Sequence, residues 1–597
     1  MKLGKPSIDK NFLVYTGSPF DVMEAEAWWL GYDMLAAIDD ELRAVHGALD
    51  NQRVQPFVAT AVKGAKSPQA IAQLIPTKHW KPVNTELRVT DVPSLVEKLG
   101  GQHLYGTDLS AAVREVIQNA ADAIQAKRLI RDIRTGTIKV RLRRTEYGDI
   151  LDVQDDGIGM SPRVLTVALL DFGRSFWRSG AMRQEFPGLL SKGLKTTGRF
   201  GIGFFAVFML GDHVTVTSRR FDSAVSDTHT LDFQKGLRVR PILRDPTPDE
   251  LLSEPGTLVS VILRNRYDEP GGLLFRGGHG EKIPEVSLCD LVARVSPAVS
   301  VTIEVEAQGK ADIAVLADDW LTKEPDKLVE RTCGRADNWY EQDNKLILPN
   351  LRLLQDPDTQ EIHGRACIRP GQGFFSVRGV VTVGGFRASE MRDIVGVLKG
   401  EPETVARNSA MPTVSGRVLR NWATEQAALI ANSNVSGDYK LNAASVVMLC
   451  GGDASSLPIA ILDGEYLTET SLSILLRGLV EVEVYKGIEI EYDEEDDVRP
   501  KAFKNNFIVS STLLFVPRDI SSILIVGSEH WPKCVPDLYL PDRPKSCEDS
   551  FLLDMKRAWG GEPCCDQDSR VVGEVDGEEI LREVDIYSRP VDPSKYT

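Results

Sequence analysis

The stretch from Ser110 to Ser218 constrains the fold of this chain more than any other. It holds three short signals in order: Arg114-Glu115-Val116-Ile117-Gln118-Asn119-Ala120-Ala121-Asp122-Ala123, then Asp155-Asp156-Gly157-Ile158-Gly159-Met160, then Gly198-Arg199-Phe200-Gly201-Ile202-Gly203-Phe204-Phe205. Around the first, Val113, Val116, Ile117, Ala120, Ala121 and Ile124 recur on one helical stripe. Glu115, Asn119 and Asp122 fall at i, i+4 and i+7 and share another face. Alternation over Thr137–Leu142 and Ile150–Gln154 predicts two strands, joined through the turn chemistry of Glu146-Tyr147-Gly148-Asp149. The second strand runs directly into Asp155. Asp171 to Thr197 is rich in glycine and proline with little periodicity, which suits a mobile loop or lid. The third signal sets glycines before the apolar run Phe204–Leu210, a buried helix start. Val214–Thr217 and Leu258–Leu263 read as further strands. A helix, several strands and a returning helical segment fit a two-layer α/β sandwich.

These residue types carry chemistry at those places. A carboxylate at a strand end, Asp155, can accept the exocyclic amino group of adenine. Gly157 and Gly159 let the backbone approach a base without a Cβ in the way, and Met160 offers an apolar wall. Asp-Asp-Gly alone reads equally as a turn between strands. Glycines ahead of a helix present N–H donors and the positive dipole end, which suits phosphate. Glu115 is placed to polarise a water, and Asn119, one turn on, supplies a neutral oxygen suited to Mg2+. Glu-x-x-x-Asn by itself fits a solvent-facing stripe as well. The glycine order is not GxGxxG and no GxxxxGK[ST] occurs, so dinucleotide and P-loop readings fail.

Together, in this order, the three motifs resemble the ATP-binding site of the GHKL superfamily (gyrase, heat-shock protein 90, histidine kinases, MutL). In detail they are most similar to heat-shock protein 90 and its bacterial HtpG form. The resemblance implies an α+β chain: a Bergerat-type two-layer α/β sandwich ATPase domain, an α/β middle domain and a β-rich C-terminal domain. It implies ATP and Mg2+ as ligands, Glu115 as catalytic base and Asn119 as the metal-holding residue. Asp122, Asp155, Gly157, Gly159, Met160, Gly198, Phe200, Gly201, Ile202, Gly203 and Phe204 match positions around the nucleotide. Thr257 matches a threonine that supports the adenine-binding aspartate. Phe374–Val381 and Thr404–Ser409 resemble two segments of the family's middle domain, and Arg407 then corresponds to an arginine that reaches the γ-phosphate. Asn408 stands where the family has a glutamate. In the lid, Arg178 sits near the family's lysine, and Lys192 and Lys195 are further cations. The function implied is an ATPase acting as a conformational clamp, a homodimer with a protein client or effector. The alternatives are a MORC- or MutL-like ATPase on DNA, and a switch module that holds nucleotide without turnover. The resemblance covers about Leu95 to Leu263 with specific motifs and about Glu281 to Asn421 weakly.

A chain of 597 residues suggests roughly three to five domains. We expect an N-terminal, mostly helical extension over 1–94, the ATP-binding domain over 95–270, a middle domain over 271–430, and a C-terminal domain with a polar tail over 431–597. Within the extension, Ala25 to Val45 has helical spacing and Ser67-Pro68 reads as a helix start. Trp28-Trp29 reads as packing against the next domain rather than as a partner surface. Val480–Tyr485 alternates strictly as a strand, and Asp493–Asp497 reads as an exposed loop. The tail after Cys565 reads as partly disordered. A net charge of −16 argues against nucleic acid as a partner, with Lys127 to Arg144 the best basic patch. The eight cysteines form no CxxC pair, so neither a zinc site nor a disulfide scaffold is expected. No signal peptide or membrane span is visible, and a cytoplasmic protein with no membrane partner is the expectation.

Overall fold

The computed structural model describes residues 3–50, 57–83, 105–198, 201–275, 286–333, 345–370, 379–404, 406–486, 507–517, 525, 530–541, 543–575 and 578–590. The chain divides into two compact units, Met1–Val92 and Pro93–Thr597.

In the first unit, β1 (Ser7–Asp9) and β2 (Phe12–Val14) pair antiparallel, and β3 (Ala61–Val62) lies parallel to β2. The helix expected from Ala25 is α1 (Ala25–Asp50). Ser67 precedes α2 (Pro68–Ile71), and its hydroxyl bonds the Gln69 side chain rather than the helix backbone. Trp28 is buried, edge-on to both Trp29 and Trp80 and stacked on Tyr32. Its indole N–H donates to the Ile75 carbonyl at 3.0 Å, and that of Trp80 to the Phe20 carbonyl at 3.1 Å. The tryptophans therefore make the core of their own unit, where each polar tip finds a backbone acceptor.

The first described helix of the second unit is α3 (Leu109–Arg131). The Asp108 carboxylate caps it by accepting from the Ser110 amide, and Asp132 ends it in the left-handed region. Its apolar stripe covers a mixed sheet of strand order β11-β10-β4-β5-β9-β6-β7-β8. β4 (Thr137–Thr145) and β5 (Gly148–Asp155) form the predicted hairpin, Thr145 facing Gly148 across Glu146-Tyr147. The predicted lid carries a helix of its own, α4 (Gly180–Glu185). Met182, Phe186 and Leu189 there are buried against Ala126 of α3 and Ile158. β6 (His213–Arg219), β7 (His229–Leu237) and β8 (Ile242–Arg244) continue the sheet, and β9 (Gly256–Ile262) sets Thr257 opposite Asp155.

The chain returns to this sheet after residue 270. α5 (Leu288–Val295) buries Leu288, Leu291 and Val292 in the same apolar cluster as α3. β10 (Thr302–Ala307) then pairs in parallel with β4, and β11 (Lys310–Val315) forms the edge. Such parallel pairing needs a long crossover and leaves no local sequence signal.

A second sheet has the order β12-β13-β16-β14-β15, built from β12 (Arg352–Gln355), β13 (Ile362–Ile368), β14 (Gly379–Val383), β15 (Phe386–Met391) and β16 (Ile394–Pro402). β17 (Ala410–Pro412) pairs with the end of β16, and the described residues 403–404 and 406–409 belong to the loop between them. Of the two middle segments singled out above, Phe374–Arg378 and Val405 lie outside the described residues. A third sheet spans Pro458 to Ser588 and includes the predicted strand, at Glu481–Tyr485. Beyond Asn432 the chain also holds helices at Gly437–Leu449, Glu469–Gly478 and Cys547–Trp559. The acidic run Asp493–Asp497 lies outside the described residues. The tail differs from expectation: Cys564–Val575 pairs with Glu578–Ser588 as a long hairpin. Val572, Val584 and Tyr587 are buried along it, apolar residues too thinly spread among acidic ones to stand out in the sequence. Among the described residues no helix is long and apolar enough to cross a membrane.

Candidate functional site

A cleft of about 160 Å³ opens beside α3, and Glu115, Asn119, Asp155, Gly201 and Arg407 all line it. Gly159, Met160, Gly198, Gly203, Phe204 and Thr257 line it as well. Glu115 and Asn119 reach it from one face of α3, as their spacing requires.

Asp155 is the last residue of β5 and is buried. Its Oδ1 accepts from the Gly157 amide at 2.8 Å. Burial pushes its carboxyl up to about 7, with Asp156 adding to the rise and the Gly157 and Thr257 amides opposing it. Asp156 points elsewhere: its carboxylate accepts from the Thr137 amide at 3.0 Å and ties β5 to the start of β4. A relay holds the far wall. The Met160 amide donates to Ser218 Oγ at 2.9 Å, and Ser218 Oγ lies 2.9 Å from Thr257 Oγ1. Gly159, at φ +66°, passes so close to the Arg219 carbonyl that any Cβ would collide with it.

The glycine loop is positioned from two sides. Gly201 has φ +69°, and a Cβ there would sit 2.3 Å from the Arg174 backbone. A Cβ on Gly203 would sit 2.3 Å from Glu115 Oε2. Glycine is thus needed for backbone conformation at the first and for room beside the carboxylate at the second. Gly203 begins a 3-10 turn, Gly203–Met209, rather than an α-helix.

Not every expected residue faces the cleft. Asp122 is buried and turned to the base of the lid, where Oδ1 accepts from the Thr197 amide and hydroxyl and Oδ2 from the Gly198 amide, at 2.8–2.9 Å. Two backbone donors in reach hold it there, although burial raises its carboxyl. Gly157 packs against Ala123, and Ile202 is buried off the lining. Phe200 lies outside the described residues. Lys192 donates to the Leu129 and Ile130 carbonyls at the end of α3. The lid residues that do line the cleft are Arg174, Ser175, Phe176 and Trp177. Their only sequence signal is that they follow Gly173, four residues that mix charge and aromatic bulk in a segment with no period.

Arg407 comes from the loop between β16 and β17. It is buried, has φ +53°, and places Nη1 3.7 Å from Glu115 Oε2. Arg114 secures that loop: Nη2 donates to the Ala406 carbonyl at 2.7 Å and to Glu115 Oε1 at 3.1 Å, and Nη1 to the Arg387 carbonyl at 3.3 Å. Arg407 Nε is buried with no hydrogen-bond partner among the described residues. A buried, half-satisfied guanidinium lining a cleft is a strong point of attachment for an anion. With the backbone at Gly201 and Gly203 and the Asn119 amide oxygen, the lining suits a phosphorylated ligand and a hard cation. Among the described residues no group of three His, Cys, Asp or Glu side chains could hold a metal ion alone.

The basic run from Lys127 to Arg144 is largely engaged within the fold. Arg143 pairs with Asp152, Arg144 with Asp149 and Asp268, and Arg128 donates to the Ser300 carbonyl.

Residues 107–251 match the family of histidine kinase-, DNA gyrase B- and HSP90-like ATPases. The three motifs fall within that match; among the described lining residues, only Arg407 comes from far outside it. Over part of its length the chain is similar to the chaperone protein HtpG of several bacteria. It is 31% identical to that of Methylobacterium nodulans over 178 residues, 28% of this chain and 27% of that protein. It is 29% identical to that of Gluconobacter oxydans over 178 residues, 28% of this chain and 26% of that protein. It is 32% identical to that of Rhodopseudomonas palustris over 147 residues, 23% of each. The chain thus spans about a quarter of the length of the curated relatives it matches.

Proposed function

We propose that this chain binds and hydrolyses ATP in the α3 cleft and uses the cycle to drive a conformational clamp of the heat-shock protein 90 kind. The observation that carries this reading is the convergence on one cleft of Glu115, Asn119, Asp155, Gly201 and Arg407, from four separate segments. Asp155 accepts the exocyclic amino group of adenine, with Met160 as an apolar wall and Thr257 and Ser218 bracing the strand behind it. The backbone at Gly201 and Gly203, which line the cleft, offers N–H donors to phosphate oxygens. Asn119 would hold Mg2+ together with phosphate oxygens, and the ion when bound neutralises phosphate charge. Glu115 takes the proton from the attacking water as general base. Arg407 lends positive charge where the terminal phosphate lies, and Arg114 positions it by gripping the Ala406 carbonyl. Asp122 sets the base of the lid.

On this reading the nucleotide domain extends to about Val315, because β10 and β11 complete its sheet, and the other two sheets form the following domains. ATP favours the state in which Arg407 and the lid close on the cleft, and differential affinity for that state does the work. Two protomers pair, and a protein client or effector receives the motion, as the chaperone name of the relatives suggests. The test is nucleotide binding and phosphate release by the full chain. Asp155→Asn should abolish ATP binding. Glu115→Ala should keep ATP affinity and lose turnover by roughly 10²-fold or more. Undiminished binding by Asp155→Asn would remove the adenine assignment, and undiminished turnover by Glu115→Ala would remove the base.

A further inference from the structure

The first unit lies outside everything the ATPase reading uses, and α1 in it has an unusual surface. Trp28 and Leu35 are buried on its inner face. On the outer face Met23, in the turn just before the helix, is 92% exposed, Leu30 72% and Met34 53%. Ala27, Ala37 and Ala44 are exposed too. Met23, Ala27, Leu30, Met34, Ala37 and Ala44 follow one another at alternating spacings of four and three, with Glu41 in the one gap. That is the a/d spacing of a coiled-coil seam, two to three heptads long, and among the described residues nothing pairs with it. Scattered exposed apolar residues need no explanation; a continuous stripe at this spacing does.

Charge along the seam says what fits it. Taking Ala27 and Met34 as a positions, the g positions are Glu26, Asp33 and Asp40, all exposed, and Glu41 occupies an a position. None of these four carboxylates is in an ion pair among the described residues. A second copy is a poor occupant. Antiparallel pairing sets the acidic row against itself. Parallel pairing sets it against Gly31, Ile38 and Val45 of the e row and places two Glu41 side chains face to face. A helix with its own apolar stripe and a flanking row of lysine or arginine satisfies both the seam and the charge.

We infer that α1 is a docking surface for a basic amphipathic helix of a partner protein. The unit captures that helix by burying Met23, Leu30 and Met34 under its apolar stripe and pairing Glu26, Asp33, Asp40 and Glu41 with its cations. This does not depend on the ATPase reading and holds whether or not the cleft binds nucleotide.

The experiment uses the full chain and two labelled helical peptides of about three heptads, both with leucine at a and d. One has lysine at e and g, the other glutamate, and the like charges keep each peptide from pairing with itself. Fluorescence anisotropy should show the lysine peptide binding roughly tenfold or more tighter than the glutamate peptide, with the gap narrowing as salt rises. Reversing the row with Glu26→Lys, Asp33→Lys and Asp40→Lys should invert the preference. Leu30→Asp with Met34→Asp should abolish binding of the lysine peptide, although it adds negative charge. Equal affinity for the two peptides, or lysine-peptide binding that survives the Leu30→Asp, Met34→Asp change, would overturn the proposal. So would a dimer of the wild-type chain that the same double change converts to monomer, because the occupant would then be a second copy.

Discussion

The two longest helices among the described residues break the usual burial rules in opposite directions. α3 buries polar groups: Arg114, Glu115, Gln118 and Asp122 are all buried. α1 leaves Met23, Leu30 and Met34 out in water. Both are amphipathic on paper, and both lie against a sheet. A buried charge and a bare apolar stripe are each costly to keep, so each marks a place where something besides folding has shaped the sequence. On α3, Arg114 and Glu115 hold each other and meet the β16–β17 loop, and Asp122 is held by the Thr197 and Gly198 amides. On α1 nothing within the first unit's own core uses the outer stripe. On the two readings proposed above, one helix is specified inward, toward a phosphorylated ligand, and the other outward, toward a basic amphipathic helix.

The sharpest way to break the α3 side of this contrast is to remove Arg407. Arg407→Ala should lower ATP turnover by roughly 10²–10³-fold, the usual cost of deleting one charge-stabilising donor, with a smaller change in affinity. Arg114→Ala should produce a lesser loss, because the loop loses its grip on the Ala406 carbonyl while the Arg407 guanidinium survives. Single-turnover phosphate release separates the two. If Arg407→Ala leaves turnover intact, the buried cation of the cleft is structural.

Gly201 tests the lining without touching any charged group. It has φ +69° and a Cβ would press on the Arg174 backbone, whereas Gly173, at φ +85°, has open space around its missing Cβ. Gly201→Ala should therefore destabilise the second unit by roughly 1–3 kcal/mol through strain plus collision, and Gly173→Ala by about 1 kcal/mol through strain alone. Urea unfolding curves of the two variants measure the difference. Equal losses would mean that the loop moves aside and that close packing on Arg174 is not needed.

How much of this was legible in the sequence depends on range. The helix with Glu115 and Asn119, the β4–β5 hairpin and the glycine loop are local patterns, and each could be read from a dozen residues or fewer. Asp155 was legible because a strand ended on it. Asp122 was misread in direction: its spacing put it on the cleft face, but two lid amides within hydrogen-bond reach turned it aside. Arg174 and Trp177 were missed because a lid without periodicity gives no hint of which side chains turn inward. β10 and β11 were missed as members of the first sheet because β4 and β10 are paired across more than a hundred residues. On α1 the periodicity was plain, but only coordinates separate the stripe that is covered from the one that is bare.

The pH dependence of Asp155 sharpens the α3 side further. Its folded-state carboxyl sits at about 7, above the ordinary 3.8. The folded chain therefore binds this proton more tightly than the unfolded chain. Unliganded stability from this group is greatest below about 3.8 and declines as pH rises toward about 7. Adenine recognition has the opposite sign, because the carboxylate is the better acceptor for the amino group. ATP affinity should fall as pH drops below about 7, by up to about tenfold per unit, or roughly 1.4 kcal/mol. Calorimetry across pH 5.5 to 8 on the wild type would show the slope, and Asp155→Asn should give no binding signal at any of these pH values. A flat profile in the wild type would mean that Asp155 keeps its charge in the cleft.

The smallest expected effect is the one that completes the contrast. Leu30 and Leu35 are five residues apart on α1, one bare and one fully covered. Leu35→Ala should cost the first unit roughly 2–5 kcal/mol by opening a cavity beside Trp28. Leu30→Asp should change stability by no more than about 0.5 kcal/mol, since it removes nothing from the core. Thermal unfolding followed by tryptophan fluorescence reads both, because Trp28, Trp29 and Trp80 report on that core. A loss on Leu30→Asp comparable with that of Leu35→Ala would mean that the outer stripe is already covered within the chain. Stability unchanged in Leu30→Asp leaves α1 with an apolar face that folding does not require, which is the condition a docking surface must meet.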